Sequence, residues 1–122
     1  MRFLIVDSED IKSGVATDRY FVWTERILNA KGVNPRVVAE VTTSHWGIFA
    51  GLNDVLELMK GLPVDIYAMP EGTLFFPHEP VLTIVGNYAD FARFETALLG
   101  FLCHASGIAT AAFKTKLAAG DK

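Results

Sequence analysis

The stretch VDIYAMPEGTLFFPHEPVLTIVG, residues 64–86, decides the fold class. Val64-Asp65-Ile66-Tyr67-Ala68 alternates with period two and reads as a strand. Pro70-Glu71-Gly72 is turn chemistry. Thr73–Phe76 and Val81–Gly86 read as two more strands, joined by the proline-bounded loop Pro77-His78-Glu79-Pro80. Three successive strands without an intervening helix exclude a regular β-α alternation. The expected class is therefore α+β.

Working outward, Gly51 to Lys60 is predicted helical, with Leu52, Val55, Leu56 and Met59 at three-four spacing and Gly61 and Pro63 ending it. Val37–Thr42 is rich in β-branched residues and reads as a strand. Upstream, Thr17 and Asp18 offer N-cap oxygens to a helix that runs to about Ala30 and stops at Lys31-Gly32. Phe21, Thr24, Ile27 and Leu28 give it one face, with Tyr20 and Trp23 beside them. Ser8, Glu9 and Asp10 start a single turn ending at Gly14, and Phe3-Leu4-Ile5-Val6 reads as a short strand. Downstream, a helix from Asp90 to about His104 carries Phe91, Phe94, Leu98, Phe101 and Leu102; a second helical stretch, Ile108–Ala119, follows Ser106-Gly107. The expected order is β-α-β-α-β-β-β-α.

Composition limits the function classes. The 122 residues suit one domain, and such a chain buries roughly two-thirds of its unfolded surface. They are 51% hydrophobic and only 20% charged, at mean hydropathy +0.30, which excludes disorder. Charges and turn formers interrupt every run of about eighteen residues, so no membrane span is expected. The N-terminal MRFLIVDSED meets acids too early for a signal or transit peptide. A net charge of −3 offers no basic stripe for nucleic acid. Cys103 is the single cysteine, which suits a reducing cytoplasm. Small domains should be polar, because their surface is proportionally large; this one is apolar. It hides surface in a partner, or it is a piece of a longer polypeptide; an apolar but monomeric small domain is the plainer alternative.

No phosphate loop, nucleophile elbow or zinc motif is present. His45, His78 and His104 lie in different elements without ligand spacing, and Cys103 adjoins His104 on a helix where neighbours diverge, so structural roles are expected for all four. Glu9-Asp10 reads as helix-start charge. Two features remain. Thr17-Asp18-Arg19-Tyr20-Phe21 places an acid, a base and two aromatics at a helix start, where free backbone N–H groups favour a flat anion; capping by Asp18 and packing by Tyr20 is the plainer alternative. The small-residue stretch from Thr96-Ala97-Leu98-Leu99-Gly100 to Ser106-Gly107-Ile108-Ala109-Thr110 should lie close against another backbone, internal or in another subunit.

Thr-Asp-Arg-Tyr-Phe at 17–21, Val-Asp-Ile-Tyr-Ala-Met-Pro-Glu-Gly-Thr-Leu-Phe at 64–75, Glu79-Pro80-Val81-Leu82, and Phe94-Glu95-Thr96-Ala97-Leu98-Leu99-Gly100 leading to Ser106-Gly107-Ile108-Ala109-Thr110 together resemble nicotinate phosphoribosyltransferase in its archaeal form. The likeness runs along essentially the whole chain. It implies an α/β-hammerhead-like N-terminal domain of the type II phosphoribosyltransferases over residues 1–105, with residues 106–122 a helical lead-in to an absent α/β barrel. It implies an enzyme joining nicotinate to phosphoribosyl pyrophosphate to give nicotinate mononucleotide, with Mg²⁺ and, in many members, ATP. The phosphate loops and the phosphorylated histidine belong to the barrel, so no catalytic or metal-binding residue is expected here, and this chain alone is expected to be inactive and to bind no cofactor. The resemblance further implies a homo-oligomer whose sites form between subunits, with Asp18 and Tyr20 at the pyridine ring of a neighbouring subunit's substrate. Arg19 points elsewhere if the segment is helical. Related quinolinate enzymes carry Glu-Arg ahead of the same helix; the arginine position is Thr96 here, and an uncharged hydroxyl cannot clamp the extra carboxylate. A non-catalytic module pairing with a separate barrel subunit or with itself is the alternative. A lipoyl- or biotinyl-type carrier fails, since the Pro77–Pro80 turn has no lysine.

Overall fold

A computed structural model describes residues 8–122; the strand expected at Phe3–Val6 lies outside the described residues. Helix α1 (Ser8–Lys12) is one short turn, followed by α2 (Arg19–Lys31). As expected, Gly32 closes α2 in the left-handed conformation, its N–H reaching the Asn29 and Leu28 carbonyls. Strands β1 (Arg36–Val41) and β2 (Gly47–Ile48) precede α3 (Leu52–Met59), then come β3 (Asp65–Ala68), β4 (Leu74–Phe75) and β5 (Leu82–Asn87). Helix α4 (Tyr88–Phe91) and a 3-10 turn (Ala92–Phe94) lead into α5 (Glu95–Ala119). The architecture is α+β.

β5 is the central strand of an antiparallel sheet in the order β1-β5-β3, with Val41 and Ala68 opposite Leu82, and Ala39 and Ile66 opposite Ile84. Alternation directs Leu82 and Ile84 into the core and leaves Val38, Glu40 and Tyr67 exposed on the other face. Phe49, Val55, Leu58, Phe75, Phe91, Leu98 and Leu102 complete the core against that inner face. The two strands flanking Pro77–Pro80 do not pair with each other. β4 instead pairs with β2, a two-residue strand too short to show an alternating pattern. The proline loop thus carries the chain from one sheet to the other.

One expected break is absent. Ser106-Gly107 does not divide the C-terminal region; α5 runs for 25 residues through them, and through the boundary expected between 105 and 106. Helix N–H groups there have intrahelical partners on both sides, so a single glycine costs only about 1 kcal/mol. The same continuity corrects the expectation about membrane-spanning length. Gly100, Ser106 and Gly107 do not interrupt the helix, and the Tyr88–Ala119 segment is long and apolar enough to cross a membrane by length and composition, at hydropathy 1.5. In this fold its first half packs Leu98 and Leu102 into the core.

The close backbone approach expected of this stretch is internal. Hydroxyls on α5 clamp β2 and the segment after it: Ser106 Oγ accepts from Ala50 N–H (3.0 Å) and donates to the Ala50 carbonyl (3.1 Å), and Thr110 Oγ1 accepts from Ile48 N–H (2.9 Å). Contact this tight requires glycine opposite. A Cβ at Gly51 would stand 2.9 Å from the Phe101 carbonyl oxygen, and one at Gly47 2.8 Å from Thr110 Oγ1. Gly51, at φ +98°, also begins α3, where no side chain of its own can cap; Glu71 does so from the β3–β4 turn, accepting from Gly51 N–H (2.8 Å) and Leu52 N–H (3.1 Å).

Candidate functional site

The N-terminus of α2 meets the N-terminus of α5, 78 residues away in sequence. Asp18 has extended backbone there (φ −69°, ψ 143°) and occupies the N-cap position, yet its carboxylate makes no capping bond to α2. It goes across instead: Thr96 Oγ1 donates to Asp18 Oδ2 (3.1 Å) and accepts from Asp18 N–H (3.3 Å). The expected side-chain cap is therefore replaced by a tertiary pair. The Thr96 hydroxyl on the facing helix is a competing donor that satisfies the same carboxylate.

Asp18 and Thr96 lie at one end of a groove of about 670 Å³ between α5, α1 and α3. Its walls are mostly apolar, from Ile11, Ala97, Gly100, Phe101, Ala105 and Ile108, with Asp54 and His104 as further polar groups. Thr17 also lines it, and its hydroxyl is the single buried side-chain polar atom among the described residues without a hydrogen-bond partner.

Tyr20 stands beside this groove rather than in its lining. Its ring packs on Phe21 at 4.1 Å between centroids and leaves 56% of the residue exposed. Phe21 itself is buried and anchors the helix. Arg19 does point elsewhere, lying over the Trp23 ring at 5.2 Å. Glu95, the first residue of α5, was not singled out by the sequence; partial burial and then the nearby Asp18 carboxylate push its carboxyl above the usual range. Desolvation, followed by Glu95 and Asp18, likewise raises the Tyr20 phenol above its ordinary value. The end of the groove is thus an acidic corner with a phenol above it. Glu95 adjoins Thr96, but only the tertiary contact with Asp18 gives it this setting.

His45 hydrogen-bonds Ser44 Oγ through Nδ1 (2.9 Å), and His78 N–H donates to the Thr43 carbonyl from a left-handed backbone. Cys103 lies on the opposite side of α5, lining a smaller cavity of about 370 Å³ with Trp46, Phe75 and Ser106. Among the described residues no three His, Cys, Asp or Glu side chains converge as metal ligands.

A family model described as "Quinolinate phosphoribosyl transferase, N-terminal domain" matches residues 18–106, from the Asp18 corner to the α5 clamp. The chain belongs to that family. Among solved structures the chain is similar to nicotinate-nucleotide pyrophosphorylase from Pyrococcus furiosus, at 51% identity and TM-score 0.91 over 98% of this chain and 32% of that one. It also matches human nicotinic acid phosphoribosyltransferase, at TM-score 0.79 and 22% identity over 87% of this chain and 29% of that one, a likeness of fold alone. Curated relatives include nicotinate phosphoribosyltransferase pncB1 of Mycobacterium tuberculosis, 40% identical over 58 residues, and nicotinate phosphoribosyltransferase of Caenorhabditis elegans, 38% identical over 69. The domain spans 13% and 12% of the length of these two relatives, and 48% and 57% of this chain is aligned. The resemblance read from the sequence is thereby established as a family relationship with phosphoribosyltransferases.

Proposed function

We propose that this domain supplies the pyridine-ring surface and part of the subunit contact of a nicotinate phosphoribosyltransferase in NAD biosynthesis. The observation that carries the reading is the match along 98% of the chain, at 51% identity, to a nicotinate-nucleotide pyrophosphorylase. In that reading the pyridine nitrogen displaces pyrophosphate at the anomeric carbon of phosphoribosyl pyrophosphate, through a cation-like transition state that depends on positioning and electrostatics. Tyr20 offers its exposed ring as a stacking platform, and Asp18 orients the ring or its neighbours. Phosphate-binding and phosphorylated groups, together with Mg²⁺ and ATP where the enzyme uses it, belong to a barrel outside this chain. The 122 residues alone are then inactive.

Nicotinate is favoured over quinolinate as the acid because position 96 presents a hydroxyl already committed to Asp18. A second carboxylate would meet Asp18 and Glu95 rather than a guanidinium. Residues 106–122 serve as the lead-in to the barrel, in a cytoplasmic homo-oligomer that engages neither nucleic acid nor membrane. A non-catalytic pairing module is the second reading, favoured by the apolar side chains exposed along α2.

The test is kinetic. In the full-length enzyme, Tyr20→Ala is expected to raise the nicotinate KM about five-fold or more, the equivalent of a stacking loss of about 1 kcal/mol. Unchanged kinetics would remove Tyr20 from the site. Pyrophosphate release by the isolated 122-residue chain would overturn the requirement for the barrel.

A further inference from the structure

We propose that Thr96 is a positioning residue: its hydroxyl latches Asp18, and with it the start of α2, onto the start of α5, and so sets the Tyr20 ring. The inference rests on the proposed role of Tyr20 as the platform for the pyridine. Three hydroxyls along α5 each accept a backbone N–H from another segment: Ser106 from Ala50, Thr110 from Ile48 and Thr96 from Asp18. The first two hold the wall of the core. Thr96 holds the segment two residues before Tyr20, and its own proton goes to the Asp18 carboxylate. A second tie joins α2 further along to the 3-10 turn that leads into α5, where Arg93 Nε donates to Glu25 Oε2 at 3.1 Å. Tyr20 lies between the two ties, over the buried Phe21.

Threonine has the required chemistry. Its hydroxyl donates and accepts at once, on a β-branched side chain with few rotamers. Valine has the shape without the hydrogen bonds, and arginine can donate to the carboxylate but cannot accept the Asp18 amide. Thr96→Arg is therefore not a route to quinolinate, since it dismantles the latch.

Amide hydrogen exchange in the 122-residue chain reads the latch directly. Thr96→Val should speed exchange at the Asp18 amide about five-fold, the effect of losing one ordinary hydrogen bond, with Thr96→Ser restoring it. The Tyr20 phenol should also titrate closer to its ordinary value in Thr96→Val, because Asp18 is no longer held nearby. In the full-length enzyme, Thr96→Val should raise the nicotinate KM and leave kcat in place, with rescue by Thr96→Ser. Wild-type exchange at Asp18 in Thr96→Val would overturn the latch. An unchanged KM in Thr96→Val, where Tyr20→Ala is impaired, would overturn its positioning role. An unchanged KM in Tyr20→Ala, with Asp18 exchange still responding, would fault the platform reading instead and withdraw the role with it.

Discussion

Around residues 17–20, three neighbouring side chains meet three different fates. Asp18 is satisfied across the fold, Tyr20 keeps an open ring face, and Thr17 Oγ1 is buried with no partner. An unsatisfied buried hydroxyl is a net cost, and exchanging it for a methyl of the same shape removes that cost. Thr17→Val should therefore leave stability unchanged or raise it by about 1 kcal/mol in urea unfolding. A clear loss would mean that the hydroxyl finds a partner in solution. The sequence named Asp18, Tyr20 and Thr96 through a family resemblance, and the polar residues at the α2 start were also visible as a possible ring site. It did not show that Asp18 and Thr96 touch, because nothing local links positions 78 residues apart.

Helix ends and turns were the most legible elements. α2 and its glycine stop, the body of α3, and β1, β3 and β5 all follow from periodicity and punctuation, which are local signals. Two features were not legible. β2 has only two residues, and its strand character comes from β4 and from the α5 hydroxyls. α5 continues through Ser106-Gly107 because its own hydrogen bonds and the Ser106–Ala50 pair outweigh a weak helix former. The α3 start is the informative case for energetics. Gly51 cannot cap, and the Pro70-Glu71-Gly72 turn brings a carboxylate to its two free amides. Glu71→Ala should cost about 1–2 kcal/mol in urea unfolding, and Glu71→Gln less, since one amide acceptor survives. Equal stability of Glu71→Ala and wild type would show that water caps α3 equally well.

Across the whole molecule, the apolar excess read from composition becomes a specific surface. Tyr20, Trp23 and Ile27 form a stripe along α2, more than half exposed in each case, and Leu117 near the end of α5 is 66% exposed. Such surface favours association. Light scattering of the 122-residue chain should give a mass above that of a monomer, reduced by Trp23→Glu with Ile27→Glu. A strictly monomeric wild-type chain would count against both the subunit-contact and the pairing-module readings. The sequence by itself determined the α+β class, most of the elements and the family, because turn chemistry, side-chain period and local motif identity are written in neighbouring residues. Only the tertiary structure decided which strand pairs with which, that one helix replaces two, and that Thr96 closes on Asp18. Those outcomes are set by contacts between distant segments, whose energies depend on packing that no short window of sequence contains.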